Sequence, residues 1–385
     1  MPALPAKSME KLKSSLLRKK RSISLHPEPT RCPYCSAGEI VKRGTRQKKF
    51  ERVQLYQCAA CKRTFSAERV KGKTIPLAVI FDGLSYYNLG YSPETSCRFL
   101  KIKYGLSVDP SSISRWVEEF KDICRYARMR PYAIRRYAPP KVMESVTLYH
   151  RQVYTFRYHR AKIELLLEED FKNEPLYRLK EFLDNVSTEC PHQFFQGGLR
   201  MSEQKVNFDM SRVVVREKQN FANRLAQLAL QAVRNNKERH ETLEKFMIAN
   251  DSVTVAIEVP VYFTPEDLEH MQKVLGFTIP LTLDKILTGH IDILQVRNGA
   301  VHILDYKAVA RKEKPINQLT FYALALSRLT GLRLYHFKCG WFDQDRYYEF
   351  FPLHVVYKKK PRKSGKHQPD QNQQKNRIAA VSPES

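Results

Sequence analysis

Two aspartates and a lysine lie on neighbouring apolar runs in the last third of the sequence. The runs cover residues 286–296 and 301–304; Asp292 lies in the first, and Asp305 and Lys307 come directly after the second. Carboxylate oxygens are the ligands that Mg²⁺ prefers, and a lysine beside them can stabilise an attacking hydroxide. These residue types are therefore suited to metal-assisted hydrolysis of phosphodiester bonds.

A turn signal between the two runs determines how their acids can meet. Asn298 and Gly299 form a dipeptide that is typical of a two-residue β-hairpin loop. The hairpin makes the runs antiparallel, so Asp292 and Asp305 can reach one face. Lys307 follows Asp305 by two residues and, on an extended strand, points to the same side.

The flanking segments add further polar residues to this pair of strands. Residues 251–263 alternate as a strand that contains Glu258, and residues 316–329 have the period of a helix that carries Gln318 and Tyr322 one turn apart. An isolated Asp-x-Lys is more often a surface ion pair, and a single aspartate is more often a strand-end acid. The ordered set of acid, hairpin, Asp-Tyr-Lys and Gln-x-x-x-Tyr favours a catalytic site over both alternatives.

Two Cys-x-x-Cys pairs near the N-terminus have the spacing of a zinc site. Cys32 and Cys35 are separated from Cys58 and Cys61 by 22 residues. Two such knuckles can close a tetrahedral Zn²⁺ site with four thiolate ligands, and the zinc would be structural because no ligand position stays open. The alternative is four unrelated reduced cysteines. The remaining cysteines are scattered and are expected to be small core or surface residues: Cys97, Cys124, Cys190 and Cys339.

Three short helices are predicted after the cysteine pairs. The second follows Ser92-Pro93 and the third follows Asp109-Pro110, since proline is favoured at the first helical position. Two helices that are joined by a short turn, with polar residues at the start of the second of them, predict a helix-turn-helix. In this motif the last helix enters the major groove of DNA. A small helical bundle with no role in DNA binding is the alternative. The polar front of the third helix consists of Ser111, Ser112, Ser114 and Arg115.

The composition indicates the class of partner. The chain has 385 residues, a net charge of +26 and 42% hydrophobic residues, which is enough for two or three domains with real cores. So much positive charge predicts nucleic acid as the partner rather than a membrane surface. The sequence shows neither a long apolar run nor an apolar signal core, so we expect a cytoplasmic, nucleoid-associated protein with reduced thiols.

Composition and pattern divide the chain into six segments. Both ends are low in apolar residues and rich in lysine and arginine, which is typical of flexible tails. The expected segments are a basic flexible arm (1–29), a zinc ribbon (30–70), a helix-turn-helix (74–128), a helical connector (130–214), an α/β catalytic block (215–357) and a disordered basic tail (358–385).

The N-terminal part resembles the DNA-binding module of insertion-sequence transposases. The similarity covers residues 30–122 and does not extend to a DDE transposase core downstream. In those proteins a zinc ribbon and a helix-turn-helix hold the transposon-end DNA, and the resemblance implies the same partner here. It rests on Cys32-Pro-Tyr-Cys35, Lys42-Arg43-Gly44, the segment 56–65 with the second cysteine pair, and Ser114-Arg115-Trp116-Val117.

Residues 215–345 resemble the PD-(D/E)xK nuclease superfamily, and within it the RecB-like branch. The resemblance implies an α/β, restriction-endonuclease-like core in which helices flank a central mixed sheet. By motif position, Asp292 and Asp305 would bind the metal, and Lys307 would be the catalytic lysine. Gln318 and Tyr322 match the extra motif of this branch, which supports the active site and contacts DNA.

A histidine on the helix before the strands is a further metal ligand in this branch. His240 is the candidate, and His302 and His290 compete with it. Glu258 matches an acid that is common on the preceding strand. Some RecB-like nucleases bind an iron–sulfur cluster with three cysteines after the core; only Cys339 follows the motifs here, so no cluster is expected.

These features predict a deoxyribonuclease that uses Mg²⁺ or Mn²⁺ for catalysis and Zn²⁺ for structure, with the ribbon and helices bringing DNA to it. The alternative is a DNA-binding regulator or a transposition-associated protein whose nuclease-like core does not cut. A helicase and another mobile-element protein are open candidates for a partner, and cutting of both strands would favour a homodimer. The sequence leaves open whether the substrate is single- or double-stranded, and whether cutting is internal or at ends.

Overall fold

The structure is a computed structural model, and none of its described helices is both long and apolar enough to cross a membrane. The predicted tail at 358–385, and residues 1–22 of the predicted arm, lie outside the described residues. The described residues are 23–24, 29, 31–47, 52–66, 73–124, 128–233 and 238–357.

A small sheet carries the two cysteine pairs. It consists of β1 (Ile23–Ser24), β2 (Ile40–Gln47), β3 (Arg52–Cys58) and β4 (Thr64–Ser66). β2 and β4 pair antiparallel with β3, and β1 pairs parallel with it. β2 and β3 therefore link the two cysteine pairs, and the sheet holds the two Cys-x-x-Cys turns beside each other.

Three helices follow the small sheet, at nearly the predicted positions. Two of them begin with a side-chain cap: Ser92 accepts a hydrogen bond from the backbone N–H of Thr95, and Asp109 accepts one from Ser111. In both cases proline occupies the first helical position, as the sequence indicates. The helices are α1 (Leu77–Asn88), α2 (Pro93–Tyr104) and α3 (Pro110–Glu119).

Nine further strands form one mixed sheet. They are β5 (Met143–His150), β6 (Gln152–His159), β7 (Leu199–Arg200), β8 (Arg216–Lys218), β9 (Thr254–Phe263), β10 (Leu287–Arg297), β11 (Ala300–Tyr306), β12 (Phe337–Phe342) and β13 (Tyr347–Phe350). Their order is β5-β6-β9-β10-β11-β12-β13-β8, with the short β7 paired to β10. The pairs β11–β12 and β7–β10 are parallel, and the other pairs are antiparallel. The mixed sheet that the sequence predicts is therefore present.

Ten helices of the described chain accompany this sheet. One of them, α12, connects β11 to β12, and such a crossover is what allows two consecutive strands to lie parallel. The helices are α4 (Met129–Arg136), α5 (Pro139–Val142), α6 (Arg160–Glu169), α7 (Tyr177–Glu189), α8 (His192–Gly197), α9 (Phe221–Ala229), α10 (Arg239–Asn250), α11 (Pro265–Lys273), α12 (Ile316–Thr330) and α13 (Leu353–Val356).

Two apolar layers pack against the sheet. One contains side chains of α6, α7, α11 and α12. The other contains side chains of α1 to α4, α9 and α10 together with strand residues such as Ile293 and Leu304. In addition, Asn88 of α1 donates a 2.8 Å hydrogen bond to Asn250 of α10, which donates one of 2.8 Å to Ser85. The first three helices therefore share a core with the large sheet.

The predicted hairpin and the helix after it are confirmed. Asn298 and Gly299 have φ values of 53° and 70°, the left-handed backbone that this two-residue loop requires. The strands on either side pair antiparallel from Ile293 with Leu304 to Arg297 with Ala300. The helix predicted at 316–329 is α12.

Two regions differ from the prediction. The helical connector expected at 130–214 contains α4 to α8 but also the β5–β6 hairpin, which adds two strands to the large sheet. Arg151 makes the hairpin turn with a φ of 54°, so the usual Gly or Asn signal is missing. The apolar residues within 217–247, among them Phe221, Leu225 and Leu228, predict one long amphipathic stretch. The structure divides this region into β8, α9 and α10 instead.

Candidate active site

The four N-terminal cysteines converge on one point. Cys32 Sγ lies 3.6 Å from Cys61 Sγ, Cys35 Sγ lies 3.5 Å from Cys58 Sγ, and all four are free thiols. These separations are much longer than a disulfide bond of ~2.05 Å and close to the ~3.8 Å edge of a tetrahedron with Zn–S bonds of ~2.3 Å. The cluster therefore fits a Zn²⁺ ion with four sulfur ligands.

A row of three carboxylates crosses three adjacent strands of the large sheet. Because Ile293 pairs with Leu304, the register places Asp292 of β10 across from Asp305 of β11. On its other side, β10 pairs with β9, and the register places Asp292 across from Glu258. The predicted acids Asp292 and Asp305 are thus brought together, and Glu258 lies beside them.

Helix α10 adds a histidine and a fourth acid to this row. His240 Nδ1 lies 3.6 Å from Asp292 Oδ2. The ligand atoms of His240, Glu244 and Asp292 all lie within 4.8 Å of one another. The ring of Tyr306, the middle residue of Asp-Tyr-Lys, packs edge-on against His240 with 5.1 Å between the ring centroids. The strand that carries Asp305 therefore also helps to hold the histidine.

Burial and mutual repulsion dominate the electrostatics of the acids. Burial, followed by the charge of Asp292, raises the pKa of Glu258 to about 8, and Arg157 opposes the shift. The same two causes raise the pKa of Asp305 well above its ordinary value. Burial and the charges of Glu258 and Asp292 raise the pKa of Glu244 in the same direction. Carboxylates crowded in this way bind a cation or retain protons.

The lysine of the motif stands directly beside the buried acid. Lys307 Nζ lies 2.8 Å from Asp305 Oδ2, and Asp305 is only 2% exposed. Burial lowers the pKa of Lys307, but the charges of Asp305 and Asp292 outweigh burial and leave it raised. The backbone N–H of Lys307 donates a 2.9 Å hydrogen bond to the carbonyl oxygen of Phe342 on β12. The ammonium group is therefore charged at neutral pH and paired with Asp305, and the backbone bond to β12 fixes the residue that carries it.

The predicted pair on α12 faces the same site. Gln318 Nε2 donates a 2.9 Å hydrogen bond to the hydroxyl oxygen of Tyr322, which is buried. The Tyr322 ring rests on Gly289 of β10: a Cβ at this glycine would lie 2.5 Å from Tyr322 Cε1. The glycine of Gly-x-x-Asp is thus explained by close packing of α12 on β10.

The two competing histidines lie elsewhere. His302 is buried, with its Nδ1 3.0 Å from Nη2 of Arg297, and it is not part of the acid cluster. His290 lines the same pocket as Asp292 but bonds to His150, 2.9 Å away. Of the three candidate histidines, His240 is the one that the structure places against Asp292.

Two charged residues of the site were missed by the sequence analysis. Glu244 lies four residues after His240, so helical spacing could have placed both on one face of α10. Arg157 of β6 is largely buried and interacts favourably with Glu244 and Glu258. Its position had no sequence signal, because the hairpin that carries it was not predicted.

Two of the acids, Glu258 and Asp292, open with the tyrosine and the glutamine into a small pocket of about 160 Å³. Oxygen donors with one imidazole are a set that Mg²⁺ and Mn²⁺ accept. A charged lysine beside such a set can stabilise negative charge that develops on an attacked phosphate. The pocket walls include Glu258, Asp292, Gln318 and Tyr322 together with Tyr154 and Arg200.

Comparison with known proteins supports this interpretation. No curated protein and no solved structure gave a significant match. A sequence model of the PD-(D/E)XK nuclease superfamily matches residues 165–379, which is more than half of the 385 residues. The matched region contains α10, the acid-bearing strands, Lys307 and α12, whereas the β5–β6 hairpin and the first three helices precede it. We conclude that the chain belongs to the PD-(D/E)XK nuclease superfamily.

Proposed function

We propose that this protein is a divalent-metal-dependent deoxyribonuclease of the RecB-like branch. The observation that carries the proposal is the convergence of His240, Asp292, Asp305 and Lys307 from three separate elements on one largely buried cluster. A helix histidine, two strand acids and a lysine are the set that the resemblance to this branch implies. Glu244 adds an acid to the set.

The residues present fit a hard divalent cation. His240, Asp292 and Asp305 would hold it, with Glu244 and Glu258 close enough to add oxygen ligands directly or through water. The raised pKa values of Glu258 and Asp305 support this assignment, because they show that the acids lack sufficient positive charge from the protein. When bound, the ion supplies Lewis-acid chemistry: it makes water a stronger acid and offsets charge on the scissile phosphate.

Lys307 would act as a fixed positive charge. Its raised pKa keeps it protonated at neutral pH, so it donates hydrogen bonds instead of accepting a proton. It can thereby orient the attacking water and stabilise the charge that builds up on the phosphate oxygens. Gln318 and Tyr322 would orient the substrate, since their hydrogen bond fixes both polar groups at the pocket wall.

The N-terminal part would bring DNA to this pocket. Exposed residues at the front of α3, Ser111, Ser114 and Arg115, could contact a duplex, and the net charge of +26 favours contacts with phosphates. The zinc ribbon would add a second contact. The common core of α1 to α3 and the sheet supports a fixed distance between binding and cutting.

Cleavage assays with matched variants test the proposed function. Plasmid, linear duplex and single-stranded DNA are incubated with Mg²⁺ and the wild-type protein, Asp305→Ala or Lys307→Ala. We expect each variant to lose at least ~100-fold in rate, as for removal of one group that stabilises transition-state charge. Asp284→Ala and Lys285→Ala are the controls, because they change the same residue types at exposed positions outside the pocket.

The outcomes separate the candidate functions. Cleavage that persists in both Asp305→Ala and Lys307→Ala would show that these residues do not form the catalytic site. A wild-type protein that binds DNA tightly but cuts none of the three substrates would favour the non-cutting regulator.

A further inference from the structure

Three histidine rings form a hydrogen-bonded row beside the candidate active site. His150 Nε2 lies 2.8 Å from His192 Nδ1, and His150 Nδ1 lies 2.9 Å from His290 Nε2. His192 is exposed, whereas His150 and His290 are buried. The row therefore runs from the surface to the wall of the pocket that contains Asp292.

A cysteine completes a donor set at the outer end of the row. Cys190 follows α7, two residues before His192. The Cys190 sulfur and the nearest ring nitrogens of His150 and His192 all lie within 4.8 Å of one another. Three chain segments, namely the end of β5, the end of α7 and the start of α8, thus bring two imidazoles and one thiol to one point.

We propose that His150, Cys190 and His192 bind a transition-metal ion, with Zn²⁺ as the best match. Nitrogen and sulfur donors suit Zn²⁺, whereas Mg²⁺ and Ca²⁺ prefer oxygen. The site is separate from the four-cysteine cluster and from the acids of the candidate active site. Three protein ligands leave the fourth tetrahedral position for water or another small ligand.

The distances require only a small adjustment. Two nitrogen ligands at ~2.0–2.1 Å from Zn²⁺ lie ~3.3–3.4 Å apart in a tetrahedron, against 2.8 Å between His150 Nε2 and His192 Nδ1. His192 begins the short helix α8 and is exposed, so it can move outward by this amount. The sulfur of Cys190 would move inward.

The surroundings of His150 are those of a metal ligand. With Nε2 bound to the ion, Nδ1–H would donate to His290 Nε2, 2.9 Å away. Metal-binding histidines commonly use the second nitrogen in this way, which fixes the ring and its tautomer. The ring of Phe195 stacks on His150 with 4.0 Å between centroids, and Tyr154 stacks on His290 at 3.6 Å. Packing thus holds both rings in place.

The ion would fasten the β5–β6 hairpin to α7 and α8. His150 ends β5 at the hairpin turn, and its partner His290 lies two residues before Asp292. Binding at the surface would therefore stiffen one wall of the pocket without contacting the acids. This assignment does not depend on nuclease activity, because it is tested by metal content.

Zinc content per chain tests the proposal. Full-length protein carrying His240→Ala and Asp292→Ala, which removes two of the three candidate ligands His240, Glu244 and Asp292, is loaded with Zn²⁺, freed of excess ion and analysed by mass spectrometry of the metal. We expect His192→Ala and Cys190→Ser, added separately, to lower the zinc content by about one ion per chain. His354→Ala is the control, because His354 is exposed and lies outside these clusters. Circular dichroism confirms that each variant is folded.

X-ray absorption at the zinc edge identifies the ligands. The parent protein should show a mixed sulfur and nitrogen shell, and the His192→Ala variant should show sulfur alone from the four-cysteine cluster. Equal zinc content in parent and His192→Ala, or a sulfur-only shell in the parent, would overturn the proposal and leave a metal-free row of histidines. An equal loss in His354→Ala would overturn it as well.

Discussion

At the level of single residues, the carboxylates around Asp292 explain why this site needs a cation. Glu258, Asp292 and Asp305 lie side by side on three strands, and Glu244 approaches from α10. Arg157 and Lys307 supply the nearby positive charge. The raised pKa values show that this charge does not offset the burial and repulsion of the acids.

The pH dependence of stability follows from these shifts. Glu258 has a pKa of about 8 in the folded protein against about 4.5 when unfolded, so the folded state binds more protons between these values. The contribution of Glu258 to the free energy of unfolding of the metal-free protein should therefore fall as pH rises from 4.5 to 8, whereas buried histidines such as His150 and His290, whose pKa values are lowered, contribute in the opposite direction below about pH 6.5. Glu244 and Asp305 shift in the same direction as Glu258 and add to its slope. Chemical denaturation in EDTA at a series of pH values measures it.

The Glu258→Gln variant and added Mg²⁺ provide the controls for this pH dependence of stability. Glu258→Gln removes the titrating group, so the free energy of unfolding of the wild type minus that of the variant should decrease from pH 4.5 to pH 8. Added Mg²⁺ should raise the melting temperature more at pH 8 than at pH 5, because it binds the ionised acids of the folded state. A difference between wild type and Glu258→Gln that does not change between pH 4.5 and 8 would contradict the raised pKa of Glu258.

We expect His240 to make a separate, measurable contribution to metal binding. Loss of even an outer partner of a metal site costs ~10–100-fold in affinity, so His240→Ala should weaken Mn²⁺ binding by at least ~10-fold. Its side chain is 49% exposed, so the change should have little effect on folding. Titration calorimetry with Mn²⁺ measures the affinity, with His354→Ala as the control. Unchanged affinity in His240→Ala would exclude this histidine from the site.

The sequence predicted the acids and the lysine because they are close together in the chain. A hairpin signal and a two-residue spacing are sufficient to bring Asp292, Asp305 and Lys307 to one place. Arg157 could not be found in this way, since it lies far from the motif in sequence and reaches the acids through the order of strands in the sheet. The choice among His240, His290 and His302 likewise required the packing of α10.

At the level of elements, the fit of α12 against β10 positions the motif residues. Gly289 leaves the space that the Tyr322 ring occupies, and a Cβ there would come within 2.5 Å of Tyr322 Cε1. Gly289→Ala should therefore displace the ring and lower the free energy of unfolding by about 1–3 kcal/mol, the usual cost of overpacking. Urea denaturation measures the difference.

A double variant isolates this contact. In a Tyr322→Ala background the ring is absent, so Gly289→Ala should cost much less than in the wild type. An equal cost in both backgrounds would show that the glycine is needed for another reason.

The elements predicted best were those with clear boundary signals. Proline and a cap mark the starts of α2 and α3, and Asn-Gly marks the β10–β11 hairpin. The β5–β6 hairpin turns at Arg151, a residue with no preference for a positive φ, and its strands contain three tyrosines and one arginine. Its place in the sheet is therefore determined by tertiary packing against β9.

At the level of the whole molecule, the first three helices and the large sheet share one apolar layer. The chain has two tryptophans, Trp116 in α3 and Trp341 in β12, and both are buried. Trp116→Phe and Trp341→Phe each leave a single fluorescent reporter of one part. Because the first three helices share an apolar layer with strands of the large sheet, the two variants should have the same denaturation midpoint after correction for their own stabilities.

Circular dichroism measured on the same samples provides the reference transition for the whole chain. Two well-separated midpoints would mean that the helices unfold independently, as the sequence-based division into segments at 74–128 and 215–357 predicts. Coincident midpoints would support a single cooperative unit that links DNA binding to the pocket.

At position 258, stability and chemistry place opposite demands on the side chain. Glu258 has a φ of 52°, a backbone conformation that costs roughly 1–3 kcal/mol for a residue other than glycine. A glycine would relax the strand but remove the carboxylate across from Asp292. Directed evolution that selects for thermal stability alone should therefore enrich variants that have lost this carboxylate. Engineering for higher thermal stability should therefore keep glutamate at position 258.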